Sequence, residues 1–254
     1  MNALPTIGEV ETLTSGIEGW LSKAEGRLLY ELARSADRRG CIVEIGSWKG
    51  RSTVWLASGA KAGLGARVVA IDPHRDSSLH SAGESTEHDL RRNLELAKVS
   101  DQADVVVATS EDAAVSWNRP ISLLFIDGEH DYESVRRDLL LWEGHVVDGG
   151  VVALHDTLFW EGPRRVVSEF FGRMPRYSSL GYGGTITYAR RTLRPTMRDR
   201  VMKRIALLDC YFYGVRVRAY ADNRFGYADL QDGLVRRTGS IRHRLFHRRG
   251  SRET

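Results

Sequence analysis

Short apolar runs alternate with longer helical patterns between residues 21 and 190. Five of these runs are continuous in apolar and β-branched residues, which is typical of strands buried on both faces of a parallel sheet. They are CIVEIG (41–46), RVVAID (67–72), DVVVATS (104–110), ISLLFID (121–127) and VVALHD (151–156). The segments around them favour helices at 21–36, 52–63, 85–99, 111–117 and 131–144. This alternation predicts an α/β fold with a Rossmann-like, doubly wound and mostly parallel sheet.

The pattern changes after the fifth run. Residues 164–174 favour a helix, and residues 177–190 favour two strands joined by a glycine-rich turn, an antiparallel hairpin at one edge of the sheet. Pro195 then interrupts the chain, and apolar residues recur beyond it at helical spacing. They are Val201, Ile205, Leu208 and Phe212. We predict a domain over residues 1–194 and a basic helical extension over residues 195–254, which packs on the domain or on a second subunit.

Composition limits the classes of protein to which the chain belongs. Its 254 residues are 42% hydrophobic and 28% charged, an ordinary globular balance. There is no low-complexity tract, no secretory leader and no apolar stretch long enough to span a membrane, so we expect a cytoplasmic protein. Cys41 and Cys210 stand far apart in apolar surroundings, which favours buried free thiols.

Charge is distributed unevenly along the chain. Residues 190–254 contain 17 Lys and Arg against 6 Asp and Glu, whereas residues 1–189 carry a net charge of −7. The asymmetry indicates either an anionic partner or a solvated helix face with a basic tail. A nucleic-acid-binding function is the weaker reading, because no aromatic-rich recognition element accompanies the arginines.

Polar residues stand where the apolar runs end, and in an open parallel sheet ligands bind beyond these carboxyl ends. Glu44 precedes a turn that contains Gly46 and Gly50, and such turns let a ligand approach the backbone closely. Trp48 replaces the middle glycine of the dinucleotide fingerprint, and no P-loop motif occurs. Asp72 ends the second run, where a carboxylate can accept hydrogen bonds from ribose hydroxyls.

Two further carboxylates end the fourth and fifth runs. Asp127 and Asp156 are expected side by side, because sequential strands of this type are usually neighbours. Two adjacent carboxylates repel each other unless a shared proton or a cation neutralises them. A hard divalent ion such as Mg²⁺ prefers oxygen ligands and keeps positions open for water or substrate.

Together these segments resemble a known family. The motif E-x-G-x-W-x-G-x-S (44–52), followed by VVAIDPH (68–74), FIDGEHDY (125–132) and GGVVALHD (149–156), is similar to the class I S-adenosylmethionine-dependent O-methyltransferases. The likeness is greatest to the metal-dependent branch that includes the catechol and macrolide-sugar O-methyltransferases, and it spans residues 20–190.

The resemblance implies a binding site for S-adenosylmethionine at the strand ends. Its residues are Glu44, Gly46, Ser52, Asp72, Ser110, Glu111 and Asp127. In the family's arrangement the glycine and serine approach the methionine end, with the glutamate near the amino group. In the same arrangement Asp72 binds the ribose, and Ser110 and Glu111 border the adenine.

The resemblance also implies a metal site formed by Asp127, His155 and Asp156. His155 stands at the family's third ligand position, where an oxygen ligand is commoner. Mg²⁺ is the first expectation, but imidazole suits Mn²⁺ or Zn²⁺ better. His130 matches the position of the general base, which takes the proton of the acceptor hydroxyl. A metal ligand and a histidine bonded to the backbone remain alternatives for His130.

The acceptor is inferred from similarity alone. GWLSKAEGRLLYELA (19–33), followed by VEIGSWKGRST (43–53), is most similar to the carbohydrate-modifying members, including the methylmannose-polysaccharide O-methyltransferases. A saccharide is the first expectation and a catechol-like phenol or macrolide the second, and a metal-dependent hydroxylase or hydrolase on the same fold is the rival class. The loop at 73–86 is either a substrate lid or a solvent-exposed loop. Trp160 is expected either in the core or stacked on a sugar ring. A homodimer is also expected, because such enzymes often pair through appended helices.

Overall fold

The computed structural model describes residues 6–75 and 85–224, with side chains up to residue 217. Seven strands form one sheet in this part of the chain. They are β1 (Cys41–Ile45), β2 (Val68–Asp72), β3 (Ala103–Val107), β4 (Ile121–Ile126), β5 (Val146–Leu154), β6 (Tyr177–Gly183) and β7 (Ile186–Arg191). Their order across the sheet is β3-β2-β1-β4-β5-β7-β6. The first five are parallel, and β7 is antiparallel to both β5 and β6.

Helices cover both faces of this sheet. They are α1 (Ile7–Ser15), α2 (Lys23–Arg34), α3 (Arg51–Ala62), α4 (Glu87–Leu96), α5 (Ser110–Val115), α6 (Tyr132–Trp142), α7 (Glu161–Val166) and α8 (Met197–Arg224). A π-helical segment, Val167–Arg173, continues α7. The Rossmann-like fold with an antiparallel edge hairpin and a C-terminal helix is confirmed.

Alternate residues of the central strands supply two separate hydrophobic cores. On β1, Ile42 packs under α1 to α4, and Val43 packs on the opposite face under α6 and α7. On β4, Phe125 and Leu124 divide in the same way, and all four side chains are fully buried. Burial of one such side chain contributes about 1.5–3 kcal/mol, so the strands are held from both sides.

The strand order reverses between β1 and β4, and this reversal positions the site. From β1 the chain runs outward through β2 to β3, and it then crosses back to β4 on the other side of β1, which opens a crevice beyond the carboxyl ends. Ile45 pairs with Ile126, and Ile126 pairs with Leu154. The residues that follow these three strand ends therefore lie level with one another.

Several details differ from the sequence prediction. The third strand ends at Val107, because Thr109 caps α5 and Ser110 is already helical. Helix α1 was not predicted. Residues 76–84 lie outside the described residues, and with them most of the predicted lid loop.

Cys41 is buried, as predicted, and Cys210 is partly buried, both without a disulfide. Among the described residues no helix is both long and apolar enough to cross a membrane.

Candidate active site

The end of β1 carries a buried carboxyl group. Glu44 Oε2 accepts a hydrogen bond from Thr53 Oγ1 at 2.6 Å. Burial raises the pKa of Glu44 to about 8, although Ser52, on the first turn of α3, lowers the pKa of the same carboxyl group. The Oε1 atom of Glu44 has no hydrogen-bond partner among the described residues. A buried carboxyl oxygen without a partner fits a ligand ammonium group, which S-adenosylmethionine carries at its amino-acid end.

The turn after β1 is fixed by backbone contacts. Gly46 has φ +86°, and a Cβ atom there would lie 2.2 Å from the carbonyl oxygen of Asp127. Only glycine therefore lets the ends of β1 and β4 approach this closely. From β2, Asp72 Oδ2 accepts hydrogen bonds from the backbone N–H groups of Ser47 at 2.9 Å and Trp48 at 2.8 Å. Asp72 thus holds the turn, a role that the sequence prediction did not include.

Ser110 and Glu111 lie beyond the end of β3, on the first turn of α5. Ser110 Oγ accepts a hydrogen bond from Trp142 Nε1 at 2.9 Å. Glu111 forms an ion pair with Arg137 at 2.5 Å. Trp142 is fully buried beneath them and belongs to the core.

Asp127, His155 and Asp156 meet at the ends of β4 and β5. His155 Nδ1 lies 2.8 Å from Asp127 Oδ1 and 3.2 Å from Asp156 Oδ2, so one imidazole contacts both carboxylates. Burial lowers the pKa of His155, but the two carboxylates outweigh burial and raise it well above its usual value. Burial raises the pKa of Asp127, and the charge of His155 opposes that shift. In this arrangement a protonated imidazole offsets one of the two negative charges.

The backbone of Asp156 adopts an uncommon conformation. Its φ is +55°, in the left-handed region that aspartate and asparagine tolerate better than most residues. The conformation ends the strand sharply after β5. Such local strain is commonest at functional sites, where the surrounding structure enforces it.

A carboxylate that the sequence prediction missed completes this cluster. Glu25 on α2 is fully buried, and its Oε1 lies 3.6 Å from His155 Nε2, at ion-pair distance. The same oxygen accepts hydrogen bonds from Thr185 N at 2.6 Å and Thr185 Oγ1 at 2.8 Å. Burial raises the pKa of Glu25, but its contacts with His155 and Thr185 outweigh burial and lower it. Ser22 and Glu25 form a capping box that can be recognised from the sequence, but the sequence does not show that Glu25 faces His155.

His130 joins the cluster from the other side. Its Nε2 lies 3.0 Å from Asp156 Oδ2, and its ring stacks on Trp160 with centroids 4.7 Å apart. Burial lowers the pKa of His130, but Asp156 outweighs burial and raises it. One ligand atom each from Asp127, His130 and Asp156 lies within 4.8 Å of the others, a spacing that can hold a metal ion.

A surface cavity of about 400 Å³ opens beside His130. Tyr132, Trp160 and Arg165 contribute to its wall. Trp160 is 51% exposed, so its indole is not a core side chain. The carboxylate cluster is therefore buried on the side of His155 and open on the side of His130.

Comparison with known proteins agrees with this geometry. A family model described as a methyltransferase domain matches residues 43–157, from β1 to just beyond Asp156. A catechol O-methyltransferase of Mycobacterium tuberculosis is 33% identical over 166 residues, which are 61% of this chain and 70% of that protein.

Solved structures share the fold. The O-methyltransferase from Bacillus cereus in complex with SAH is 22% identical, with a TM-score of 0.54 over 74% of this chain and 93% of that one. CalS11, a TDP-rhamnose 3'-O-methyltransferase of calicheamicin biosynthesis, is 17% identical, with a TM-score of 0.50 over 74% of this chain and 81% of that one. Since the tuberculosis relative is matched at this identity over most of its length, the chain belongs to the class I S-adenosylmethionine-dependent O-methyltransferases.

Proposed function

We propose that this O-methyltransferase uses a divalent cation, Mg²⁺ or Mn²⁺, to present a hydroxyl group of a small polyhydroxy acceptor, foremost a saccharide, to the methyl donor. The observation that carries the proposal is the convergence of the Asp127 and Asp156 carboxylates at the ends of β4 and β5, where His155 Nδ1 lies within 3.2 Å of both. His130 contacts Asp156 from the open side of this cluster. That cluster adjoins the turn after β1, since Gly46 contacts the backbone of Asp127.

The donor site lies along the ends of β1, β2, β3 and β4. Its residues are Glu44, Gly46, Ser52, Asp72, Ser110, Glu111 and Asp127. The unpaired Oε1 of Glu44 supports a contact with the donor's ammonium group. Asp72 holds the turn with Oδ2, and its Oδ1 accepts a hydrogen bond from the backbone N–H of His74 at 2.6 Å. A carboxylate oxygen has two lone pairs, so Oδ1 retains acceptor capacity for a ribose hydroxyl. When bound, S-adenosylmethionine supplies a sulfonium-activated methyl group.

The cation site consists of Asp127 and Asp156, with His155 as the third donor. Two adjacent carboxylates with a nitrogen donor suit Mn²⁺ as well as Mg²⁺. In the ion's absence His155 carries the compensating positive charge, because both carboxylates raise its pKa. A bound cation would lower the pKa of a coordinated hydroxyl group and fix its direction.

His130 is the proposed general base. Its side chain is 26% exposed and borders the surface cavity, whereas that of His155 is 4% exposed. An acceptor hydroxyl therefore reaches His130 more readily. The proton passes from the hydroxyl to the imidazole as the acceptor oxygen attacks the methyl carbon and the carbon–sulfur bond breaks. Stacking on Trp160 and the contact with Asp156 orient the ring for this transfer.

The choice of acceptor rests on the cavity and on the relatives. Trp160 presents an exposed indole face beside His130, and such faces pack against the apolar side of sugar rings. One structural relative is named as a sugar O-methyltransferase. A catechol-like acceptor is the second candidate, because the curated relative is named as a catechol O-methyltransferase. Both acceptors offer neighbouring hydroxyl groups that can chelate one ion.

Transfer of label from methyl-labelled S-adenosylmethionine tests the proposal. The protein is incubated with mannosides, with other saccharides or with catechol, after chelation and after addition of Mg²⁺ or Mn²⁺. We expect labelled saccharide only with cation. Label on catechol alone would move the acceptor assignment to phenols, and full transfer in excess chelator would contradict the cation's role.

A further inference from the structure

Helix α8 carries an apolar face that points away from the domain. Its members are separated by three or four residues, so they lie along one side of the helix. They are Met197, Val201, Ile205, Leu208, Phe212 and Val215. These side chains are 40% to 72% exposed, which is unusual for six large apolar groups in a row. We call this set the outer α8 face.

The opposite side of α8 already packs on the domain. Lys203, Tyr213 and Val217 are buried there. Tyr213 stacks on Tyr182 of β6 with ring centroids 4.6 Å apart, and the Lys203 ammonium donates to the carbonyl oxygen of Met174 at 2.7 Å. The outer α8 face is therefore not needed to attach the helix, and its apolar character requires another explanation.

Arginines border the outer α8 face on both sides. On helical geometry Arg198 and Arg216 flank one edge and Arg204 flanks the other, and all three are exposed. No ion pair within 4.0 Å joins them to a carboxylate in the described part of the chain. The chain around them is basic as well, since residues 190–254 contain 17 Lys and Arg against 6 Asp and Glu.

We propose that the outer α8 face docks on the surface of a lipid bilayer that contains anionic headgroups. An apolar stripe bordered by basic residues matches that surface in both respects, because the stripe enters the boundary of the acyl chains and the arginines contact the headgroup phosphates. The helix lies in the plane of the interface. This mode of binding requires no membrane-spanning segment.

Net charge disfavours a second copy of α8 as the occupant. Helix α8 contains seven Lys and Arg against three Asp, so each of two paired helices would bring a net charge of +4 to the contact. An anionic surface is attracted by the same charge.

The apolar stripe also distinguishes a bilayer from nucleic acid. Phosphates of RNA would engage the arginines, and Phe212 is the one aromatic member of the face that could stack on a base. Val201, Ile205 and Leu208 offer no stacking or hydrogen-bonding group to bases. Binding to RNA would therefore leave these side chains in water. A bilayer buries them.

Cosedimentation of the full-length protein with vesicles tests the proposal. The vesicles consist of phosphatidylcholine alone or of equal parts of phosphatidylcholine and phosphatidylglycerol. We expect the protein to pellet with the mixed vesicles and to remain largely in solution with phosphatidylcholine alone. The double variant Leu208→Ser/Phe212→Ser should lower partitioning about tenfold or more. Leu96→Ser, which changes an equally exposed leucine on α4, should leave it unchanged.

The arginines are tested separately. Arg198→Gln and Arg204→Gln should each lower partitioning into the mixed vesicles about fivefold, whereas Arg92→Gln on α4 should have no such effect. Methyl transfer to a soluble acceptor should be unchanged in every variant, which shows that the fold is intact.

Three results would overturn the proposal. The first is failure of the wild-type protein to bind the mixed vesicles. The second is a wild-type dimer, seen by sedimentation velocity without lipid, that Leu208→Ser/Phe212→Ser dissociates, since a second copy would then cover the face. The third is RNA binding that depends on Arg198 and Arg204 while vesicle binding does not.

Discussion

His130 and His155 both contact Asp156, but only one of them is reachable from the surface cavity. Replacement of His130 by alanine should lower kcat about 10²- to 10⁴-fold, because the acceptor hydroxyl loses its general base. The affinities for S-adenosylmethionine and for the cation should change little. His88→Ala, at an exposed position on α4, is the matched control. If cation affinity collapses in His130→Ala, the histidine is a ligand instead of the base.

Glu44 makes the stability of the ligand-free protein depend on pH. Its pKa rises from 4.5 to about 8 on folding, so the folded chain keeps a proton that the unfolded chain loses between these values. The free energy of unfolding should therefore fall as pH rises through this window, by up to about 1.4 kcal/mol per pH unit. Glu44→Gln has no such proton, so its free energy of unfolding, measured in urea at several pH values, should vary less with pH. The same pH dependence in the two proteins would contradict a raised pKa of Glu44.

At the scale of elements, two helices begin with the same capping box in different surroundings. Thr6 and Glu9 form the box of α1 at an exposed site, and Ser22 and Glu25 form that of α2 at a buried one. Glu9→Ala should lower the free energy of unfolding by about 1 kcal/mol or less. Glu25→Ala should cost about 3–5 kcal/mol, because it also removes the buried acceptor of Thr185 and the carboxylate that faces Nε2 of His155. Equal losses in urea unfolding would mean that the ion pair contributes nothing.

The approach of β1 to β4 depends on one glycine. Gly46→Ala would place a Cβ atom 2.2 Å from the carbonyl oxygen of Asp127 at a φ of +86°, so the two strand ends must separate. We expect a loss of about 3 kcal/mol or more in stability, together with weaker donor binding. Gly8→Ala on α1 meets no atom within 4 Å and should be neutral or slightly stabilising. Unchanged donor affinity in Gly46→Ala would separate the turn from the donor site.

Elements were predictable where the signal is local. Apolar runs such as CIVEI and ISLLFI are strands in the structure, because both faces of a central strand need apolar side chains. Ser110 was placed on a strand although it starts α5, since the cap at Thr109 resembles the polar end of a strand. The helix α1 has its own capping box but stands before the alternating pattern, and it was missed.

At the scale of the whole molecule, the site was predictable only as far as chain order determines position. Sequential parallel strands bring Asp127 beside His155 and Asp156, so this part followed from the strand ends. Glu25 reaches the same place from α2, and its partner Thr185 is 160 residues away in the sequence. Trp160 stacks on His130 from a separate loop. Contacts of this kind depend on tertiary packing, for which the sequence has no local pattern.

The cation is the central claim, and calorimetric titration of Mg²⁺ or Mn²⁺ into the protein saturated with S-adenosylhomocysteine tests it most directly. Asp156→Asn is the variant of choice, since asparagine tolerates the left-handed backbone at this position. The wild-type protein should bind one cation, and Asp156→Asn should bind it at least about tenfold more weakly with unchanged affinity for the donor product. Equal cation affinity in the two proteins, or no cation binding by the wild type, would contradict the account.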